Sequence, residues 1–152
     1  MTVEEQTQPR QPTLSRQQRY LAAAATNVQK VKDEQQGYAR WQDYKEIYGG
    51  LCHKVPVLIM TNGLCQTVAF IEAKAGDNGP RGRAYQTLRR HLAQTLGQSE
   101  TALATHVRSL PVGEYIRATR TLLAAWAYYK RFAESILNVQ PGEENDDERA
   151  AD

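Results

Sequence analysis

At 152 residues, 41% of them hydrophobic and spread through the middle, the chain can fill about one sizeable core and has no room for a second. Its apolar runs are broken well before the ~18 residues of a membrane span, so no membrane-spanning helix is expected. The net charge of +2 is unevenly placed: residues 141–152 carry −5 and residues 1–13 carry −1, which leaves +8 on residues 14–140. Both ends are too polar to offset their ordering entropy and read as disordered tails, 1–13 and an acidic 141–152, around one domain at 14–140. The N-terminal segment lacks the basic head and apolar stretch of a secretory signal, so a cytoplasmic protein is expected. Cys52 and Cys65 are then free thiols that behave as small hydrophobes.

The pattern predicts helices in chain order. Leu14 to Gln36 has Thr13 or Ser15 as N-cap, Leu21, Ala24, Val28 and Val31 on one face, and Gly37 as a stop. Tyr38 to Tyr48 places Trp41, Tyr44, Ile47 and Tyr48 on one side and closes at Gly49-Gly50. Val55 to Lys74 is the most informative stretch. Its Asn62-Gly63 pair is a hairpin signal, but neither flank alternates, and Val57, Thr61, Leu64, Val68 and Ile71 keep helical spacing through it. The segment therefore reads as one helix, with Pro56 in its first turn and Gly63 allowing a close crossing or slight kink. After the loop GDNGPRG, Arg83 to Leu96 presents Tyr85, Leu88, Leu92 and Leu96. A short helix follows from Ser99 to Arg108, and a long one from Val112 to Asn138 turns Leu122, Trp126, Tyr129, Ala133 and Ile136 inward. The fold expected is all-α, a compact single-domain bundle of about six helices.

Catalytic chemistry is hard to assemble from these residues. His53, His91 and His106 fall on different elements, and no paired CxxC or HExxH accompanies them, so no metal or cofactor site is expected. No serine has a nucleophile-elbow context, and no glycine-rich phosphate loop is present. The chain reads as a non-enzyme.

Basic residues are the better lead. Arg81, Arg83, Arg89 and Arg90 cluster at and after the glycine-rich loop, and Arg117, Arg120 and Arg131 lie opposite the inward face of the last helix, with Lys130 of the same helix a further candidate. Cations on a rigid helical face can hold successive phosphates without reading sequence. The bland alternative is that they are solvated backs of amphipathic helices. Helix-turn-helix, zinc-finger and RNP-type readers are absent from the pattern.

The segments RYLAAAATNVQKV, KVPVLIMTNGLCQTVAFIEAK and TLLAAWAYYKRFAESIL together resemble a known family. Val55-Pro56, Ile59, Asn62-Gly63-Leu64 and Ala69-Phe70, then Trp126, Lys130-Arg131 and Ala133-Glu134, match the motifs of the small subunit of the type III-B CRISPR RNA-silencing complex, the fifth Cmr subunit. The resemblance spans about Arg16 to Leu137. It implies a non-catalytic helical subunit of an antiviral effector, present in several copies beside the backbone RAMP subunits and helping to hold crRNA and target RNA. Recognition would rest on base pairing, with this subunit supplying shape and phosphate contacts. Under it, Pro56, Asn62, Gly63, Leu64, Phe70 and Trp126 are structural, with Asn62 satisfying local backbone groups. The alternative role is a protein–protein spacer with no direct RNA contact, whose basic faces dock acidic partners.

Overall fold

The first helix begins where a serine can close it. Ser15 Oγ accepts the Gln18 N–H at 3.1 Å and the Gln18 side chain accepts the Ser15 N–H at 2.8 Å, a reciprocal capping box. From there α1 runs Arg16–Asp33 and ends through a 3-10 turn at Glu34–Gln36. The computed structural model describes residues 13–142; the tail assignments at 1–12 and 143–152 lie outside them.

Helix α2 spans Trp41–Asn62, which corrects the expected stop at Gly49-Gly50 and the expected start of a new helix at Val55, with Pro56 in its first turn. Both glycines are buried in mid-helix, and Pro56, half-buried, sits in its interior, where its ring removes the N–H that would reach toward the Cys52 carbonyl. The reason the chain keeps a glycine at 49 is packing: a Cβ there would lie 2.6 Å from Val139 Cβ. Residues beyond the last helix fold back onto this bare surface. Asn138 takes φ 57°, Val139 N–H donates to the Ala133 carbonyl at 3.0 Å, and the Val139 carbonyl meets His53 Nε2 at 3.0 Å.

The expected continuous helix through Asn62-Gly63 is two helices. Gly63 adopts φ 83°, ψ 163°, a region that side-chain-bearing residues avoid, and α3 starts afresh at Leu64–Ala75. The break resets the helical phase. Leu64, Val68 and Ile71 are buried as expected, but Val57 is 61% exposed and Thr61 is exposed, while Val55 and Ile59 fill the core instead.

Pro80 sits in the first turn of α4, Gly79–Thr95. Gly82 is required one turn in, because a Cβ there would collide with the Asp77 carbonyl of the preceding loop. Ser99 precedes a 3-10 turn, Glu100–Ala102, then α5, Leu103–Ser109; its hydroxyl makes no capping bond. The last helix, α6, covers Val112–Ser135 and buries Leu122, Trp126, Tyr129 and Ala133, with Ile136 half-buried just past its end. No strand occurs among the described residues, so the single-domain all-α reading holds. Nor is any described helix long and apolar enough to cross a membrane.

Helix α2 is the hub, packed on α3, α4 and α6, while α3 pairs with α4 and α1 with α6. Aromatic residues with polar tips tie these layers together. Tyr44 Oη meets Thr87 Oγ1 at 2.9 Å, Tyr48 Oη meets His91 Nδ1 at 2.6 Å, Asn27 Nδ2 donates to Tyr129 Oη at 2.8 Å, and Trp41 Nε1 donates to the Val31 carbonyl at 2.7 Å. Thr87 spends its own hydrogen on the Arg83 carbonyl, so Tyr44 is the donor to Thr87. These bonds satisfy polar tips that burial would otherwise penalise by about 1–3 kcal/mol each.

Candidate nucleic-acid interface

The eight cations singled out by sequence divide into two groups. Those on α4 are spent internally. Arg81 Nε lies 3.8 Å from Asp77 Oδ2, across one turn. Arg83 donates to Glu34 Oε1 at 3.1 Å, and its guanidinium carbon stacks 4.0 Å from the Tyr38 ring centroid, fastening α4 to the end of α1. Arg89 donates to Glu72 at 2.8 Å and to Glu100 at 2.9 Å, joining α3, α4 and the turn before α5. Burial alone would depress the Arg89 guanidinium, but its two carboxylate partners outweigh that and raise its pKa. Arg90 reaches Glu100 at 3.4 Å and is the most open of the four. Their charges are therefore largely cancelled at close range.

On α6 the picture is the opposite. Arg117, Arg120, Lys130 and Arg131 are exposed, and none has an ion-pair partner among the described residues. Arg117, Arg120 and Arg131 lie within one narrow sector, because steps of three and eleven residues return close to the same side of a 3.6-residue helix. They occupy about 21 Å of helix axis, opposite the buried face of Ala118, Leu122, Trp126 and Tyr129. Rigid backing comes from that face: the Trp126 and Tyr129 rings stack at 4.1 Å and 16°. Sequence reasoning passed over the exposed Arg16, Arg19, Lys30 and Lys32 of α1, also without ion-pair partners. Their signal was present, since α1 carries no acid before Asp33 to pair with them.

The motif residues have structural positions. Leu64 and Trp126 are fully buried. Phe70 is half-buried, edge-on to Tyr85 at 5.8 Å, with the ammonium groups of Lys54 and Lys74 at 6.0 and 5.8 Å from its ring centroid. Gly63 is the break itself, and its carbonyl accepts both Thr67 N–H, at 3.1 Å, and Thr67 Oγ1, at 2.8 Å. Across it, the Cys65 N–H that starts α3 donates to Tyr115 Oη of α6 at 3.0 Å. Asn62 does not take the role expected of it: exposed at the end of α2, its side chain makes no hydrogen bond among the described residues. Tyr115, which sequence did not single out, performs the capping instead. Cys52 is buried as expected, whereas Cys65 is exposed.

Fold and surface together define a small all-helical protein with an internally neutralised α4 and a free basic ridge on α6. The family model described as CRISPR-associated protein (Cas_Cmr5) matches residues 16–136. The chain belongs to the Cmr5 family. It is 32% identical over 110 residues to the CRISPR system Cmr subunit Cmr5 of Thermus thermophilus, covering 72% of this chain and 87% of that protein. The crystal structure of a CRISPR-associated Cmr5 family protein from the same organism matches with a TM-score of 0.66 at 29% identity, over 84% of this chain and all of that one.

Proposed function

We propose that this chain is a non-catalytic small subunit of a type III-B Cmr effector complex, working in the cytoplasm and contacting guide or target RNA through the outer face of α6. The observation that carries the reading is the row Arg117, Arg120 and Arg131, left without carboxylate partners among the described residues; Lys130 is also unpaired but lies about 100° round the helix from Arg131. Unpaired cations on a rigid helix are suited to phosphate contacts that tolerate any sequence, as a subunit beside a base-paired guide requires. The α4 arginines, already paired, contribute rigidity to the same role. Protein neighbours are the other Cmr subunits and further copies of this chain. Support for such contacts comes from Val57, Met60, Val112 and Ile116, apolar side chains 45–77% exposed. They share one end of the molecule, because Tyr115 in the first turn of α6 touches the α2–α3 junction. The test is charge reversal in the assembled complex: Arg117→Glu, Arg120→Glu and Arg131→Glu together should weaken target-RNA capture while leaving subunit incorporation intact. Loss of incorporation with unchanged RNA capture would favour the protein–protein spacer, and no effect on either would sink the assignment of the ridge.

A further inference from the structure

Helices α1 and α4 do not pack closely; each leans on other partners, α1 on α6 and α4 on α2 and α3. Between them runs a polar groove. Its larger hollow, about 340 Å³, is lined by Arg19, Tyr20, Asn27, Gln94 and Tyr129 among others, and a smaller one of about 120 Å³ continues past Lys30 and Arg90. Asn27 and Gln94 border both hollows and bridge them, Asn27 Nδ2 donating to Gln94 Oε1 at 3.1 Å. Asn27 is only 4% exposed, and it spends its amide hydrogens on Gln94 and Tyr129. Its Oδ1 is left without a partner among the described residues, as is Gln94 Nε2. The groove thus holds an unused acceptor beside an unused donor. Tyr20 supplies a half-buried aromatic wall. Arg19 and Lys30, both exposed and unpaired, stand on either side of Asn27 along one line of α1, about 16 Å apart. At the far end Glu34, clamped by Arg83, closes the groove with negative charge.

We infer that this groove holds one unpaired nucleotide of RNA, with its base against Tyr20, its edge on Asn27 Oδ1 and Gln94 Nε2, and the strand's phosphates running from Arg19 toward Lys30. The inference rests on the RNA-contacting reading above and adds a site to it. Every nucleobase edge offers a donor next to an acceptor, so a facing acceptor and donor receive a base without demanding one identity. Stacking on an aromatic wall is equally tolerant, and it requires a base free of its helix. The volume is near the lower end of about 300–1,000 Å³ for ligand sites, which suits one nucleotide and not a stacked run. A carboxylate-bearing peptide would satisfy Arg19 and Lys30 but leave the neutral amide pair unused.

The test is fluorescence anisotropy of the full chain with three labelled probes: an unstructured single-stranded RNA, the same strand in a perfect duplex, and the same strand carrying abasic sites. The wild type should favour the first. Gln94→Trp, which fills the hollow from an exposed position, and Tyr20→Ala should each weaken single-strand binding about tenfold and leave duplex and abasic binding unchanged. Thermal melts keep the folding of Tyr20→Ala in view. In ¹⁵N-edited spectra of the wild type, cytidine monophosphate should move the Asn27 and Gln94 side-chain amides in a saturable way and ribose 5-phosphate should not. Single-strand binding indifferent to Gln94→Trp, yet lost on Arg117→Glu with Arg120→Glu, would overturn the groove and leave the RNA reading standing. Absence of binding to any probe would remove both.

Discussion

Val139 rests on the bare Cα of Gly49, and the carbonyl of the same valine is held by His53 one turn further along α2. The contact joins the end of the folded chain to the middle of its central helix. Gly49→Ala should therefore destabilise the protein despite the ~1 kcal/mol that alanine gains over glycine in a helix. Its Cβ would lie 2.6–2.9 Å from three Val139 carbons, and overpacking of this kind costs about 1–3 kcal/mol. Urea unfolding should show a lowered midpoint for Gly49→Ala and partial recovery when Val139→Ala is added, since the second change removes the colliding atoms. Independent, additive losses would contradict this account.

Gly63 sits where only glycine is at ease. Gly63→Ala should cost about 1–3 kcal/mol, although the space around it is open as far as Tyr115 Oη at 3.6 Å. Tyr115→Phe should cost less, about 1 kcal/mol, by leaving the Cys65 N–H without its acceptor. Equilibrium unfolding of the two variants ranks them; equal stability of Gly63→Ala and wild type would rule out the strained-junction account.

His91 is buried against Tyr48 and Tyr129, and burial, with help from the nearby Arg90 and Lys30 charges, pushes its pKa down to about 3. An unfolded histidine titrates near 6.5, so below that pH the unfolded chain binds a proton that the folded one refuses. The stability contributed by the neutral ring is fully present above pH 6.5 and is lost as pH falls toward 3, by up to about 1.4 kcal/mol per unit. Melting temperatures between about pH 6.5 and 4.5, above the range where most carboxylates titrate, should fall for the wild type and flatten in His91→Gln. A wild-type profile as flat as the variant's would show that the ring is not the titrating group.

Arg89 and Arg120 are both arginines on helices, yet their removal should differ. Arg89→Ala leaves Glu72 without its cation and Glu100 with Arg90 alone, each carboxylate 28% exposed, for a loss of roughly 1 kcal/mol. Arg120→Ala removes nothing from the fold and should stay within about 0.5 kcal/mol of wild type. Differential scanning calorimetry at low and high salt resolves the pair, and a stability loss in Arg120→Ala would mean that it holds the fold after all.

The two thiols offer a simple check on the packing. Cys52 is fully buried and its pKa is pushed up to about 12, so it should resist a disulfide reagent until the protein unfolds. Cys65, exposed at the start of α3, should react in the native state. Native labelling should stop at one thiol per chain; two would mean that the α2 core opens readily.

Much of this architecture is legible in the residues because buried side chains recur at helical spacing. Val28 and Val31, Tyr85, Leu88 and Leu92, and Leu122, Trp126 and Tyr129 mark their faces plainly. The α2–α3 break is not legible, because Leu64, Val68 and Ile71 happen to continue the step from Val57 and Thr61; a φ of 83° at Gly63 leaves no trace in spacing. Gly49-Gly50 looks like a stop for a related reason. Local propensity disfavours glycine in a helix, and only the distant Val139 explains why it is kept. Charge is the hardest to read. Nothing in the sequence around Arg83 or Arg89 announces that Glu34, Glu72 and Glu100 will fold against them, whereas the α6 ridge is visible as a row of cations opposite an apolar stripe.

The sequestering of the α4 arginines also sets how many counterions RNA binding can release. Only cations free to exchange a carboxylate-less environment for a phosphate displace condensed ions, and on α6 these are Arg117, Arg120, Lys130 and Arg131. At about 0.7 ion per phosphate on a single strand, a contact confined to that ridge would give a log–log salt slope of roughly −3, and one that also engaged Arg19 and Lys30 of α1 roughly −4, both shallower than the +8 on residues 14–140 suggests. Under the proposed role, one copy would be a weak, quickly released ligand for RNA, and firm capture would require copies placed side by side.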